Sequence, residues 1–398
     1  MGQKVAVGLF EDDRFASLYP LSSLRPVYEV RCGVLSAREK LELALPGREY
    51  CLLVRGELEG LLRWQLKAAM GREDVYVNEL PPGADLVLIN GRVIVDEGLL
   101  EEVSRLAESV GVVVGVMDSE LVVLRLTSEV ASAFKPVLSK PFHLELLSDL
   151  SESAEVVEMD VRLMDDPCDP LRVLGEQVAL DFKLMGIEGV RVGESAELRG
   201  SVELDDSEGP VLVGEGARVV NSVVRGPAAV LSGSTVTDSV VEGSVVGRGC
   251  RLSGSVVRAS ILMDHVTALD CRVTKSIVGS WTRLMAGACL CGEALSAYEL
   301  GEEREHVVVG DLCTVGPGAV VYPGVRVGAL SSVHRVCKGA VGPFELVVEG
   351  GRRAVPLEDA LKLAQLRVRE SGRYISDFEL DVIRALYRGL RCGGRVGA

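Results

Sequence analysis

Branched apolar residues recur at every sixth position along the stretch 190–348. The clearest run consists of Val309, Val315, Val321, Val327 and Val333. Small or apolar residues stand four positions after the first four of these valines, at Cys313, Ala319, Val325 and Ser331. This period is not that of an α-helix or of an ordinary strand. It is typical of a parallel β-helix, in which each coil buries its apolar side chains by stacking on its neighbours.

The same period extends upstream, and a second repeat supports it. Further hexads start at Val192, Leu198, Val213, Val219, Val246, Leu252, Leu262, Val278 and Leu284. Tripeptides of a serine and two branched residues begin roughly one coil apart, at Ser222, Ser239, Ser255 and Ser276. A sandwich of antiparallel strands would instead show strict alternation and hairpin turns such as Asn-Gly. This stretch has neither, so the sequence favours the solenoid.

Strand and helix patterns alternate before residue 134. Strands are predicted at 4–10, 50–54, 75–77, 86–89 and 112–116. Helices are predicted at 58–69 and 98–109, and a capping-box pattern of Ser36 and Glu39 predicts the start of another. The alternation favours an α/β domain with a mostly parallel sheet. In such sheets ligands bind at the carboxyl ends of the strands, here the loops after Phe10 and Ile89.

Two further regions follow from changes in the pattern. The segment 135–188 has helical patterns at 144–150 and 171–185, which predict a connection that braces the solenoid. After residue 350 helical spacing returns, with Ser376 and Glu379 as another capping box. The predicted domains are therefore 1–134, 135–188, 189–350 and 351–398. We expect the last to be a helical cap, because a solenoid must cover its apolar end, with a subunit contact as the alternative role.

Composition narrows the classes of function. A formal net charge of −15 argues against a nucleic-acid-binding surface. No apolar run is long enough to span a membrane and the N-terminus lacks a signal-peptide pattern, so we expect a cytoplasmic protein. The ten cysteines show no zinc-site spacing with the four histidines. Cys250 and Cys313 occupy small inward positions of hexads, where a buried small apolar residue is expected.

The N-terminal part of the chain carries motifs of a known family. The stretch 18–27 (LYPLSSLRPV), followed by Arg31, Gly33 and Lys40, is similar to a divergent branch of the bifunctional N-acetylglucosamine-1-phosphate uridyltransferase/glucosamine-1-phosphate acetyltransferase family. The stretch 85–92 (DLVLINGR) resembles the family strand that ends beside the sugar phosphate. The resemblance implies a nucleotidyltransferase-like α/β domain, a left-handed parallel β-helix, a C-terminal helical tail and assembly as a homotrimer.

The resemblance also implies a chemistry: in-line attack of a sugar 1-phosphate on the α-phosphorus of a nucleoside triphosphate, with Mg²⁺ as cofactor. Such a reaction depends on positioning and charge neutralisation. The implied catalytic residues are Arg25, Arg31 and Lys40. The implied nucleotide or sugar-phosphate contacts are Phe10, Arg14, Gly33, Asn90 and Gly91. The implied metal ligands are Asp12 and Asp96.

Three positions depart from the family pattern. The glycine-rich loop after the first strand is replaced by Glu11-Asp12-Asp13, and the lysine after Arg-Pro is replaced by Val27. Arg92 stands where the wider family has a metal-binding aspartate. Carboxylates beside a triphosphate would repel it unless they hold the metal.

Acyl transfer in the β-helix would require a general base, and acetyl-CoA would be the acyl donor. Aligned through Ser276-Ile-Val-Gly, the histidine position of the family is Leu269 in this chain. His265 is the candidate substitute. The acidic excursion between Cys289 and His306 disfavours the phosphates of coenzyme A.

Two classes of function therefore stay open. The leading hypothesis is a sugar-1-phosphate nucleotidyltransferase-like enzyme with an acyltransferase-like β-helix, acting in nucleotide-sugar synthesis of the UDP-N-acetylglucosamine type. The alternative is a catalytically degenerate regulatory or scaffold subunit that binds a nucleotide sugar or a catalytic paralogue. An acyltransferase alone is the weakest hypothesis, because of Leu269.

Overall fold

A computed structural model describes residues 4–133, 154–293 and 305–391. The strands of its first part are β1 (Val5–Phe10), β2 (Tyr50–Leu53), β3 (Val75–Val77), β4 (Asp85–Asn90), β5 (Val93–Ile94), β6 (Val113–Met117), β7 (Glu120–Leu126), β8 (Glu155–Glu158) and β9 (Arg162–Leu163). They form a seven-stranded sheet of order β3-β2-β1-β4-β7-β6-β8 and a small sheet of β5 and β9. Strands β1 to β4 are parallel, which confirms the predicted α/β domain.

Helices cover the sheet on both faces. They are α1 (Ala37–Ala44), α2 (Gly56–Arg63), α3 (Glu97–Glu108), α4 (Ser128–Ala133), α5 (Asp169–Arg172) and α6 (Leu174–Leu184). Short 3-10 turns lie at Phe15–Leu18 and Val27–Glu29, and α2 continues into a π-helical turn at Trp64–Ala69. The capping box of α1 is confirmed, because Ser36 Oγ accepts from the Glu39 amide and Glu39 Oε2 accepts from the Ser36 amide.

The sheet extends into the segment predicted as a connection. Strand β8 pairs in parallel with β6, with Glu155 opposite Val113. The sequence prediction missed β7, which runs antiparallel to β4 and β6. The β6–β7 hairpin turns at Asp118 and Ser119, both with positive φ, as two-residue hairpin loops require. The predicted helix at 144–150 lies outside the described residues.

The second part is a parallel β-helix with three faces, as predicted. Its first face contains β10 (Val190–Val192), β13 (Val211–Val213), β16 (Ala228–Val230), β19 (Val245–Val246), β22 (Ile261–Leu262), β25 (Ser276–Val278), β28 (Val307–Val309) and β31 (Arg326–Val327). Its second face contains β11 (Glu197–Arg199), β14 (Arg218–Val220), β17 (Thr235–Thr237), β20 (Arg251–Ser253), β23 (Thr267–Leu269), β26 (Arg283–Leu284), β29 (Thr314–Val315), β32 (Ser332–Val333), β33 (Glu345–Val348) and β34 (Gly351–Ala354). Its third face contains β12 (Glu203–Asp205), β15 (Val223–Arg225), β18 (Val240–Glu242), β21 (Val256–Arg258), β24 (Arg272–Thr274), β27 (Cys289–Cys291) and β30 (Val320–Val321).

The hexad residues form the interior of the coils. The run from Val309 to Val333 is fully buried, and so are Cys250 and Cys313. Exceptions lie in the first coil, where Val192 and Leu198 are exposed because no earlier coil covers them. The acidic excursion lies largely outside the described residues.

Buried serines connect successive coils, and those of the sequence repeat fall in two columns. The hydroxyl of Ser222 accepts from the Ser239 amide, and the hydroxyl of Ser239 accepts from the Ser255 amide, each at 3.0 Å. Ser276 belongs to a second column, because its amide donates to Ser260 Oγ at 3.0 Å. The serine repeat seen in the sequence is therefore two interleaved ladders that satisfy buried backbone amides.

One edge of the β-helix is a column of residues in the left-handed backbone region, here called the corner column. It consists of Gly216, Gly233, Gly249, His265, Trp281, Leu312, Leu330 and Phe344, all with positive φ. Two C-terminal helices, α7 (Leu357–Arg369) and α8 (Asp377–Arg391), pack against its large apolar members. Helix α8 also contacts α2, where Phe378 stacks on Trp64 with ring centroids 6.4 Å apart.

The two parts of the chain share an apolar interface. Leu21 and Val34, from the segment after β1, pack in one cluster with Ile261 and Ile277 on the outside of the β-helix. Phe182 of α6 completes this cluster. The segment that resembles pyrophosphorylases therefore lies between the sheet domain and the solenoid.

Candidate functional site

The loops after β1 and β4 lie side by side at the carboxyl edge of the sheet, as predicted. Phe10 is opposite Asn90 in the register, and the Gly91 amide donates to the Phe10 carbonyl at 2.8 Å. Phe10 itself is fully buried in the core. A Cβ on Gly91 would lie 2.8 Å from Val27 Cγ2, so only glycine fits this crossing without displacement.

A charged cluster occupies this edge. Arg92 is fully buried, and its Nε donates to Asp12 Oδ2 at 2.8 Å. Its terminal nitrogens pair with Glu120 and Asp165. Asn90 Nδ2 donates to Asp12 Oδ2 at 2.8 Å. The carboxylate of Asp12 is thus already engaged by a guanidinium and an amide of the chain.

Both implied metal ligands, Asp12 and Asp96, are engaged by groups of the chain itself. Asp96 is the N-cap of α3 and accepts from the Leu99 amide at 2.8 Å. Asp12 is neutralised by Arg92. Across the described ranges no group of three or more histidine, cysteine or acidic side chains is arranged to hold a metal ion. In this arrangement the two residues do not fit a preformed Mg²⁺ site.

Arg14 is the most exposed of the implied cations. Its side chain is 48% exposed and lies beside Glu120 and Asp165. It is therefore the implied phosphate ligand that an incoming substrate could reach at the carboxyl edge.

Sequence reasoning missed a buried ion pair beneath the same edge. Glu11 pairs with Arg55 and accepts from the amides of Val27 and Arg55, at 3.0 and 3.1 Å. Arg55 also donates to the Ser22 carbonyl. These bonds fix the segment 22–27 against β1, so Glu11 has a positioning role. Nothing in the local sequence indicates that the Arg55 side chain contacts this loop.

Lys40 and Gly33 belong to a second buried network. Lys40 Nζ donates to the Cys32 carbonyl at 2.7 Å and lies 3.1 Å from Asp181 Oδ1, and both side chains are buried. Asp181 also accepts from the amides of Val34 and Leu35. Burial raises the pKa of Asp181 to about 6, although Lys40 acts in the opposite direction. Gly33 has φ +94°, and a Cβ there would lie 2.4 Å from Asp181 Oδ2.

The remaining implied residues meet at a different place. Arg25, Arg31 and His265 all line a cavity of about 640 Å³ between the sheet domain, the β-helix corner and α8. Arg25 pairs with Asp311 and donates to Ser280 Oγ at 3.1 Å. Arg31 pairs with Asp264 at 3.1 Å. This volume lies within the range of small-molecule sites.

The cavity has a polar wall and an apolar wall. Five arginines and six carboxylates line it, and each arginine pairs with one of the carboxylates. Burial acts to raise the pKa of the Glu39 carboxyl, but Arg31 and Arg248 outweigh it and hold the pKa at about 2. Leucines of α2 and branched residues of α8 form the apolar wall. The cavity suits a ligand with both polar and apolar parts.

His265 stacks on Trp281 at the floor of this cavity, with ring centroids 3.9 Å apart and planes inclined by 15°. Arg373 lies over the Trp281 ring, 5.0 Å from its centroid. Burial lowers the pKa of His265, which favours a neutral imidazole able to accept a proton. Leu269 is 40% exposed on β23 and offers no titratable group. Sequence reasoning missed Trp281. The available signal was a large side chain at a coil position where earlier coils have glycine.

One comparison with known proteins matches the first domain to a family. Residues 7–188 match the family model of sugar nucleotidyl transferases, a stretch that includes β8 and α6. No curated protein matches the chain. Matching solved structures include the polysialic acid O-acetyltransferase OatWY, which is 16% identical over 42% of this chain and 87% of that chain, with a TM-score of 0.25. No helix in the described ranges has the length and apolar character of a membrane span. The stretch 7–188, which matches the sugar nucleotidyl transferase model, thus contains the α/β sheet domain and is followed by a parallel β-helix.

Proposed function

We propose that the chain handles nucleoside triphosphate and sugar 1-phosphate, or the nucleotide sugar formed from them, in nucleotide-sugar synthesis of the UDP-N-acetylglucosamine type. The observation that supports this is the family match, which coincides with a parallel sheet whose β1 and β4 loops meet at one edge. Ligands of such sheets bind at this edge. Arg14 is the accessible cation there.

In this proposal the residues at the carboxyl edge of the sheet bind the substrates and orient them. Arg14 contacts a phosphate after leaving Glu120, and Arg92 remains the fixed partner of Asp12. A guanidinium can contact a phosphate in a bidentate manner, which favours Arg14 for this role. No step is assigned to a metal, since Asp12 and Asp96 are engaged elsewhere. Leu269, at the histidine position of the family, has no proton to exchange in acyl transfer.

A second candidate is a regulatory subunit that binds nucleotide sugar without turnover. The specific observation in its favour is that Asp12 and Lys40 both form internal ion pairs, with Arg92 and Asp181. Neither is then free to act on a substrate. Assembly as a homotrimer through the β-helix is proposed for both candidates.

Calorimetric titration with UTP, dTTP and UDP-N-acetylglucosamine, each with and without magnesium, tests the proposal. The informative variant is Arg14→Gln, because Arg25→Ala would also break the Arg25–Asp311 contact between the domains. Arg105→Gln is the matched control, since Arg105 is 62% exposed on α3 and pairs with Glu102 of the same helix. We expect binding that Arg14→Gln weakens about tenfold and the control preserves.

A pyrophosphate-release assay then separates the two candidates. Release from triphosphate and sugar 1-phosphate supports the enzyme. Binding of nucleotide sugar without release supports the regulatory subunit. Absence of binding to all three nucleotides would refute both.

A further inference from the structure

Arg367, in the last turn of α7, is a buried cation that forms no ion pair within the described part of the chain. It is 9% exposed, and its Nη2 donates to the neutral Thr314 Oγ1 at 2.8 Å. Its Nε has no hydrogen-bond partner. Over the described stretches of the chain it forms no ion pair with a carboxylate. Burial lowers the pKa of Arg367 to about 10; the neighbouring Arg283 acts in the same direction and Glu370 in the opposite one.

An arginine in this position is charged at neutral pH, and the structure does not compensate that charge in the usual way. Buried charges are normally paired or hydrogen-bonded at every donor, because removing them from water is costly. The carbonyl end of α7 supplies only about half an elementary charge of opposite sign. A bound anion would therefore compensate the charge of Arg367.

A small pocket of about 140 Å³ adjoins Arg367, between α7 and the corner column. Three arginines and one glutamate line it, which gives a net charge of +2. Arg283 pairs with Glu370, whereas Arg251 donates only to the Glu370 carbonyl, at 3.3 Å. Two of the three guanidinium groups at this pocket thus lack a carboxylate partner among the described residues.

The volume and the donors select the kind of anion. A pocket of about 140 Å³ has room for a group of the size of a phosphate. Guanidinium groups bind phosphate oxygens through paired N–H donors. Thr267 and Ser371 line the same pocket.

We infer that the pocket formed by Arg251, Arg283 and Arg367 binds a phosphate group. None of the residues that line this pocket belongs to the sheet edge of the proposed function. His265 and Trp281 line both this pocket and the larger cavity. The phosphate can therefore be free inorganic phosphate, or it can belong to a phosphorylated ligand whose remainder lies on the His265–Trp281 stack.

The test compares thermal unfolding and calorimetric binding of the full chain in phosphate and in chloride of equal ionic strength. The variants are Arg367→Met, which removes the buried cation, and Arg251→Gln, which changes an exposed side chain and leaves the core untouched. Arg369→Gln is the matched control, because Arg369 is exposed on the same helix and does not line the pocket.

We expect phosphate to raise the unfolding temperature of the native chain and of Arg369→Gln, since a ligand that binds only the folded state stabilises it. Arg367→Met should not respond, and in chloride it should unfold at or above the native temperature, because an uncompensated charge has been removed. Arg251→Gln should bind phosphate about tenfold more weakly. If Arg367→Met does not fold, the phosphate affinity of Arg251→Gln alone decides whether the pocket binds phosphate.

Two ligand arms identify the source of the phosphate. Tighter binding of glucosamine 1-phosphate than of inorganic phosphate assigns the site to a phosphorylated sugar, and equal binding assigns it to free phosphate. The inference is overturned if phosphate stabilises the native chain no more than chloride does. It is also overturned if Arg251→Gln and Arg367→Met respond to phosphate as the native chain does.

Discussion

Individual residues of the pyrophosphorylase-like segment have contacts that their sequence positions did not show. The resemblance assigned Arg31 and Lys40 to catalysis, and the structure places both in ion pairs that hold the segment to Asp264 and Asp181. A motif in one sequence gives the residue types but not the direction of the side chains. The partners are more than 130 positions away in the chain, beyond the reach of any local pattern.

Lys40→Met should destabilise the protein more at pH 8 than at pH 6. Burial holds the folded-state pKa of Asp181 at about 6, above its ordinary 3.8, so the folded form binds more protons and stability falls as pH rises through this range. Without Lys40 that pKa rises further, and the loss extends to higher pH. We expect the penalty in urea unfolding to grow by about 1–2 kcal/mol between pH 6 and pH 8.

Lys183→Met is the control for this prediction, because Lys183 is 67% exposed and pairs with Glu97 on the surface. Its effect on the free energy of unfolding should be small and independent of pH. A penalty for Lys40→Met that stays constant from pH 6 to pH 8 would contradict the proposed titration of Asp181.

At the scale of elements, the hexad period predicted the interior of the β-helix and not its contacts. Inward positions need a branched or small residue in every coil, so they leave a regular signal. Ile261, Ile277 and Val308 face outward and are buried by the other domain. The sequence signal of these outward contacts was a pair of adjacent apolar residues in one short strand. The hexad pattern concerns only the inward residue of each pair and therefore does not predict the outward contact.

The corner column shows how one element changes its role along its length. Early coils have glycine there, whereas later coils have large residues with the same positive φ. A side chain in this backbone region costs roughly 1–2 kcal/mol. Burial of Leu312, Leu330 and Phe344 against α7 and α8 offsets that cost. The large residues therefore mark the coils on which the C-terminal helices dock.

Leu330→Gly should be more stable than Leu330→Ala, by about 1 kcal/mol. Both variants lose the buried leucine, but only alanine keeps the strain of φ +59°. Leu290 is the matched position, since it is equally buried in strand β27. There the order should be reversed, with glycine less stable than alanine by roughly 0.5–1 kcal/mol. Chemical denaturation of the four variants measures both differences, and the same order at both positions would contradict the argument.

Glu39→Gln tests helix α1 as an anchor between the domains. Arg31 and Arg248 hold the pKa of Glu39 at about 2, below its ordinary 4.5. A lowered pKa stabilises the fold above pH 4.5, and this contribution is lost as pH falls toward 2. We expect Glu39→Gln to cost about 2–3 kcal/mol at pH 7 and much less near pH 3. The exposed Glu101→Gln on α3 should show no such change, and an equal cost at both pH values would contradict the prediction.

At the scale of the whole molecule, the sheet domain, the β-helix and the C-terminal helices meet around one cavity. The fold of each part was predictable, because each has its own periodicity. Their arrangement was not, because it depends on contacts between distant segments, such as Arg25 with Asp311 and α2 with α8. The cavity that brings Arg25, Arg31 and His265 together exists only in this arrangement.

Ile277→Asp should release the sheet domain while the β-helix stays folded. Ile277 is fully buried, but it lies on the outer side of β25, where the neighbouring Val278 fills the coil interior. A carboxylate at this position is buried without a partner only while the domains are docked, so undocking relieves its cost. We expect the thermal unfolding of the variant to divide into two transitions and its radius of gyration in solution to increase. Leu269→Asp, also outward-facing but 40% exposed, is the control and should unfold as the native chain does. A single unchanged transition for Ile277→Asp would show that this interface does not hold the domains together.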